Sequence, residues 1–268
     1  MSEILTDLST PVLADAVKAN LYEFFRYLKY SATVEFYESA NLIRWHSRVQ
    51  YPWFNGVLAS QTAPDDAAQI IQEMRAYFRS RNVPVLTWWF EPKAPTAEWN
   101  KHLLAHGFGF DGNTPGMTVE LAALNEELKT PPGFTIEPVI NLDALKEWTH
   151  IFIAGYQLPE TWEADMYTLM ADLGLDLPIR NYSGYLDGKP VATSNLFLAA
   201  GVAGIQCVAT LPEARGRGIG AAMTLAPLLE ARTMGYRAGV LQSSDMGYAV
   251  YRRLGFRTLC KMEHYFWK

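Results

Sequence analysis

The stretch Val208-Ala209-Thr210-Leu211-Pro212-Glu213-Ala214-Arg215-Gly216-Arg217-Gly218-Ile219-Gly220-Ala221 joins two segments of different periodicity through alternate glycines. Before it, Val202 to Thr210 is apolar and β-rich; after it, Arg217 to Met234 has helical spacing, with Gly235 just past its end. A glycine-rich turn between a strand and a helix has a defined chemistry. Gly216, Gly218 and Gly220 permit backbone angles that other residues resist and let a ligand approach the main chain closely. The first amides of the helix have no acceptor within it and point outward at the positive end of the helix dipole. Such a turn cradles phosphate or pyrophosphate, and Arg215 and Arg217 add fixed positive charge beside it.

Neighbouring residues exclude one phosphate-binding pattern and disfavour another. A Walker A loop needs Lys and then Ser or Thr after its last glycine, where this chain has Ala221 and Ala222. Gly216-x-Gly218-x-x-Ala221 matches a dinucleotide fingerprint as a string. The next strand, Ala238 to Gln242, however, ends without the carboxylate that would hold a ribose.

Around this loop the second half of the chain reads as α/β. Thr130-Pro131-Pro132-Gly133 breaks the pattern after the polar run Asn125 to Lys129, which places a linker at 124–132. Expected strands follow at Phe134–Pro138, Ser183–Leu186, Val191–Leu198, Val202–Thr210, Arg237–Gln242 and Phe256–Trp267. Expected helices lie at Leu142–Ala154, Glu160–Leu173, Arg217–Met234 and Ser244–Arg253.

The first half repeats this order more faintly. Strands are expected at Ala32–Tyr37, Asn41–His46, Trp53–Ser60, Val83–Phe90 and near Met117–Leu121, with a helix at Asp65–Arg79 and another before the last strand. Gly107-Phe108 and Gly255-Phe256 stand 148 residues apart, as do Thr62-Ala63-Pro64-Asp65 and Thr210-Leu211-Pro212-Glu213. One shared spacing at two landmarks points to internal duplication.

Arg215-x-x-Gly218-x-Gly220 after a strand resembles the acyl-CoA pyrophosphate motif of the GCN5-related N-acetyltransferases (GNAT), and Tyr251-Arg252-Arg253-Leu254-Gly255-Phe256 resembles their closing helix motif. The resemblance covers residues 133–268 well and residues 1–123 as a degenerate copy. It implies an α/β (α+β) fold of two GNAT-like domains, each a mixed, mostly antiparallel central sheet flanked by helices: 1–123 degenerate, 124–132 linker, 133–268 acetyl-CoA-binding and catalytic. It further implies that CoA enters a gap between the fourth and fifth strands, held by the backbone of Val208, Ala209 and Thr210. The loop residues Arg215, Gly216, Arg217, Gly218, Ile219, Gly220 and Ala221 would hold the pyrophosphate, with Ser244 further along the CoA arm. Tyr251 would act as general acid toward the leaving thiolate.

Departures from the family pattern are Ser244 in place of Asn and Gly247 in place of Ala. In the first half, Arg215, Gly216, Gly218, Gly220 and Tyr251 become Ala67, Ala68, Ile70, Gln72 and Leu103. Every residue with a chemical role is replaced there.

Composition bounds the partners. The chain of 268 residues carries 23 Lys plus Arg against 28 Asp plus Glu, a net charge of -5, which disfavours nucleic acid as a main partner. Cys207 and Cys260 make neither a disulfide framework nor a zinc site, and a reducing cytoplasmic setting with no metal is expected. The uncharged run from Pro190 to Pro212 contains Thr193, Ser194, Asn195 and Gln206, so it reads as two buried strands and a turn rather than a membrane span. Cys207 reads as an inert core thiol, and Gln206 is expected to share a face with Val208 and Thr210. Trp45, Trp53, Trp88, Trp89 and Trp99 read as core packing, since no basic residues interleave them for nucleic-acid stacking.

The activity so implied is transfer of an acetyl group from acetyl-CoA to a primary amine by direct attack in a ternary complex. The reading from another class is a non-catalytic acyl-CoA-binding sensor or scaffold. Glu160, Glu163, Asp165 and His264 are weak candidates for the base that deprotonates the amine.

Overall fold

The computed structural model of the protein describes residues 3–59, 64–90 and 96–267; Ser60, Thr62 and Ala63 of the expected elements lie outside them. In chain order the elements are α1 (Thr10–Tyr27), β1 (Glu35–Glu38), β2 (Leu42–His46), β3 (Asn55–Ala59), α2 (Ala67–Ser80), β4 (Leu86–Phe90), α3 (Thr96–Ala105) and β5 (Gly109–Glu120). They continue with β6 (Phe134–Pro138), α4 (Leu142–Gly155), α5 (Glu163–Leu173), β7 (Ile179–Leu186), β8 (Lys189–Ala199), β9 (Val202–Thr210), α6 (Ile219–Thr233), β10 (Ala238–Gln242), α7 (Asp245–Arg253) and β11 (Arg257–Trp267).

The chain packs as two compact units, and these trade segments between the sequence halves. One contains the chain up to Phe24 together with Pro115–Lys261; the other contains Phe25–Thr114 and the segment from Met262 onward.

In the first unit, β6, β7, β8 and β9 run antiparallel in sequence order, β10 lies parallel to β9, and Gly116–Glu120 of β5 lies antiparallel to β10. One face is covered by α6, whose Ile219, Met223 and Leu228 pack with Leu196, Ile205 and Leu254 in the main core. The other face carries α1, where Leu13 and Val17 meet Val202, Ala238 and Val240, and α4, where Trp148 donates its indole N–H to the Ser194 carbonyl at 3.2 Å. Asn141 starts α4 by accepting from the Ala144 amide at 2.8 Å.

In the second unit, β1, β2 and β3 are antiparallel, β4 is parallel to β3, and His264–Trp267 of β11 closes on β4 antiparallel. Trp45, Trp88, Trp89 and Trp99 are wholly buried; Trp88 packs with Trp99 in the core beneath α2 and α3. Both units are thus mixed, mostly antiparallel sheets flanked by helices.

The 148-residue spacing has a structural counterpart. Phe108 N–H donates to Leu103 O at 3.0 Å, and Phe256 N–H donates to Tyr251 O at 3.1 Å. Gly107 and Gly255 both take positive φ, 82° and 99°. The landmark prolines Pro64 and Pro212 each open a short 3-10 turn.

Some elements differ from the sequence reading. Helix α1 was not expected, although Leu13, Val17, Leu21, Phe24 and Leu28 recur at helical spacing and are buried. Helix α6 begins at Ile219 rather than Arg217, because Gly216 and Gly218 both adopt left-handed φ and hold the chain out of the helix. Strand β7 begins four residues earlier than Ser183, and Pro52–Phe54 forms a 3-10 turn ahead of β3.

Candidate active site

The parallel pair β9–β10 is joined only at Ala203↔Gly239 and Gly204↔Val240, while β9 runs on six residues to Thr210. On its other side β9 stays paired with β8 as far as Thr210↔Ala192. From Ile205 onward, then, the edge of β9 that faced β10 presents main-chain groups to an open wedge. The counterpart pair in the second unit stays zipped from Gly56↔Thr87 through Ala59↔Phe90. Gly56 is the 148-residue counterpart of Gly204, so pairing continues in one unit over the positions at which it stops in the other.

A bulge interrupts β9 within the wedge. The register with β8 passes from Thr193↔Ala209 to Asn195↔Gln206, which leaves one extra residue on β9, and Cys207 takes φ 53°. Alternation is reset by that residue: Gln206 shares a face with Ala209 and Asn195, and Thr210 lies on the opposite face with Ala192. The expectation that Gln206 faces with Thr210 fails for this reason, since unbroken alternation was assumed. Burial pushes the Cys207 thiol up to about 12, which makes it a poor nucleophile.

At the end of the wedge the loop turns into α6. Ala222 is the first residue to donate within it, to Gly218 O at 3.1 Å; the amides of Ile219, Gly220 and Ala221 have no acceptor in the helix. A Cβ on Gly220 would meet only the Thr210 hydroxyl, at 3.9 Å. Gly218 is different, because a Cβ there would collide with the carbonyl oxygen of Lys129. The two arginines also differ. Arg215 donates from Nε to Thr210 O at 3.0 Å and from Nη2 to Gly155 O at 2.7 Å, tying the loop to β9 and to the end of α4. Arg217 is exposed.

Helix α7 brings Tyr251 into the same unit, 9% exposed and 5.9 Å from Phe256 between ring centres. Burial pushes its phenol up to about 12. Ser244 caps α7 by accepting from Gly247 N at 3.2 Å, and a Cβ on Gly247 would meet the Tyr251 ring at 2.7 Å. The two departures from the family pattern are thereby explained. Serine performs the capping, and glycine lets the tyrosine lie close over the helix.

Residues 145–256 match the profile of the Acetyltransferase (GNAT) family. This region belongs to the GNAT family. No curated protein matches the sequence significantly. Among solved structures, a GCN5-related N-acetyltransferase from Kribbella flavida superposes with TM-score 0.63 at 17% identity, over 97% of this chain and 96% of that one. A GCN5-related N-acetyltransferase from Sphaerobacter thermophilus gives 0.62 at 14%, over 85% and 80%. A tandem GNAT protein from the clavulanic acid biosynthesis pathway gives 0.57 at 12%, over 88% and 84%. At these identities the likeness is one of fold.

Within the GNAT domain the acidic candidates lie at the start of α5 and just before it. Glu160 is exposed, Asp165 is half-buried, and Glu163 pairs with His150 at 2.9 Å. His264 belongs to the second unit, where it stacks on Trp89 at 4.5 Å, buried and bonded through Nδ1 to Met262 O. Sequence reasoning missed Asn181, Ser183 and Asn195, which lie wholly or almost wholly buried on the α4 side of the GNAT sheet. Their signal was available as polar residues inside apolar strands; Asn195 served only to argue against a membrane span, and Asn181 and Ser183 carried no functional reading. Among the described residues no helix is long and apolar enough to cross a membrane.

Proposed function

We propose that the GNAT domain transfers an acetyl group from acetyl-CoA to a primary amine by direct attack within a ternary complex. The observation that carries this reading is the wedge: β9 leaves β10 after Gly204, and the three free amides of α6 stand at its end. An extended pantetheine arm fits the exposed edge of Val208, Ala209 and Thr210, where it can take the hydrogen bonds a neighbouring strand would otherwise take. The pyrophosphate fits the amides of Ile219, Gly220 and Ala221, with Gly216 and Gly218 shaping the loop, Arg217 supplying charge, Arg215 holding the loop in place, and Ser244 at the start of α7 lining the CoA arm.

Tyr251 is assigned as the general acid. With its phenol pushed up to about 12 it stays protonated at neutral pH, and so has a proton for the departing thiolate. The second unit is assigned as a degenerate GNAT-like copy retained for its fold, because its β3–β4 pair is closed over the described residues Gly56–Ala59 and its loop and tyrosine positions carry Ala67, Ala68, Ile70, Gln72 and Leu103.

Calorimetry with acetyl-CoA, followed by thiol release against a panel of primary amines, tests the proposal. Binding with turnover supports the transferase. Tight binding with no turnover on any amine supports the sensor or scaffold.

A further inference from the structure

Three buried side chains of the GNAT sheet lack the hydrogen bonds that their burial requires. Asn181 and Asn195 are 0% exposed and Ser183 is 2% exposed. Asn181 Nδ2 and Oδ1, Ser183 Oγ, Asn195 Oδ1 and the buried Nε2 of Gln206 have no hydrogen-bond partner among the described residues. Leaving one such group unsatisfied costs about 1–3 kcal/mol, so five together demand an explanation.

Their placement supplies one. Asn181 pairs with Asn195, and Asn195 with Gln206, across three adjacent strands; paired residues stand on one face with Cβ atoms roughly 4.5–5.5 Å apart. The three amides therefore form one row leading from the wedge, at Gln206, into the domain. The row on one side, Phe197 and Gly204, is covered by α1, through Phe24 on the Phe197 ring at 5.6 Å and Asn20 Nδ2 on Phe197 O at 3.2 Å. The row on the other side, Ser183, Thr193 and Ala209, lies under α4, with Gly155 against Ala209. The amides sit in the seam between the two helices.

Ser183 continues the polar line outward. Two residues on, on the same face of β7, Tyr185 donates its hydroxyl to Glu147 Oε1 of α4 at 2.6 Å, and both residues reach solvent. Burial, and then the Glu147 carboxylate, push this phenol up to about 12.

We propose that Asn181, Ser183, Asn195 and Gln206 hold a string of ordered water molecules running from the wedge toward the Tyr185–Glu147 pair, and that the proton released in acetyl transfer leaves along it. Water fits because the row offers donors and acceptors with no formal charge, and a buried water takes 2–4 such partners, on the order of three. The proton count requires an exit. As the acceptor nitrogen bonds to the acetyl carbon and the carbon–sulfur bond breaks, an ammonium gives up two protons and the thiolate takes one, so one is left over. The amides do not accept it; they position the waters that pass it to the Glu147 carboxylate and on to solvent. This second half rests on the acetyl-transfer reading; the first does not.

A crystal structure of the wild-type protein at a resolution that shows water tests the first half. Ordered waters within about 3.2 Å of the Asn181 and Asn195 amides are expected, and a dry seam would overturn the proposal. For the second half, Asn195→Leu fills the row and Asn195→Ser keeps it polar, with Asn181→Val as the alternative should the leucine variant not fold. Using acetyl-CoA and an amine that the wild type turns over, Asn195→Leu should lower kcat at least about tenfold, with acceptor KM and acetyl-CoA Kd within twofold, and Asn195→Ser should restore most of the rate. A folded Asn195→Leu protein with wild-type kcat would overturn the proton route. Failure of the wild type to turn over any amine counts against the transferase reading alone, and the waters still stand or fall on the density.

Discussion

The backbone of Gly218 lies hard against the carbonyl oxygen of Lys129, leaving no room for a side chain. This glycine serves the protein's own chain, whereas Gly220 faces open space. Gly218→Ala should therefore destabilise the fold by at least about 1–2 kcal/mol, the cost of a left-handed φ for an L residue, with the Lys129 collision added. Gly220→Val should stay folded and bind acetyl-CoA more weakly, because its side chain projects where the helix amides are free. Urea midpoints and calorimetry on both variants check this, and a folded Gly220→Val with undiminished affinity would remove the phosphate cradle.

Arg215 and Arg217 should separate in the same way. Removing Arg215 deletes two charge-assisted bonds to main-chain carbonyls, so Arg215→Ala should lower stability by about 1.5–3 kcal/mol. Arg217→Ala should leave stability alone and flatten the salt dependence of acetyl-CoA binding. Equal salt dependence for Arg217→Ala and wild type would show that its guanidinium does not face the phosphates.

Acetyl-CoA should bind with one equivalent per chain. Among the described residues the β3–β4 pair stays closed from Gly56 to Ala59, which leaves a pantetheine arm no edge there, and Ile70→Gly should not open one. A calorimetric stoichiometry of two would overturn the assignment of the second unit as a degenerate copy.

Tyr251→Phe should leave acetyl-CoA affinity unchanged and lower kcat toward the low end of the roughly 10² to 10⁴-fold range for a positioned acid, because water can also protonate a thiolate. The pH dependence has a definite sign. A phenol at about 12 when folded and near 10 when unfolded favours the folded state fully below pH 10, and that contribution fades as pH rises through 12. Wild-type kcat should accordingly show no loss from this tyrosine between pH 7 and 10. A descending limb in that interval that disappears in Tyr251→Phe would mean that the phenol is not buried when it works.

The loop, the order of the elements after α1, and the closing Tyr251–Phe256 motif were legible because each carries a local signature: glycine spacing, a cap, a periodicity. The wedge was foreseen only through family resemblance, since strand separation leaves no local mark in composition. The bulge at Cys207 was not legible, because a non-glycine residue at φ 53° looks like any other strand residue. It turned Gln206 to the opposite face and into line with Asn195. Exchange of strands between the halves was hidden for a related reason: Met117 and Tyr265 look equally at home beside either sheet, and only the three-dimensional pairing chooses.

That exchange also sets the order in which the protein can complete itself. The part of β11 that closes on β4, His264–Trp267, lies more than about 170 residues further along the chain, so the edge of β4 must wait while the whole intervening stretch is synthesised and organises. Closing so long a loop is slow, and an unpaired apolar edge invites other chains. The unit with no assigned chemistry is thus the one most exposed to misassembly. A chaperone requirement, or a temperature-sensitive yield, should trace to the β4 edge rather than to the unit that holds the GNAT region.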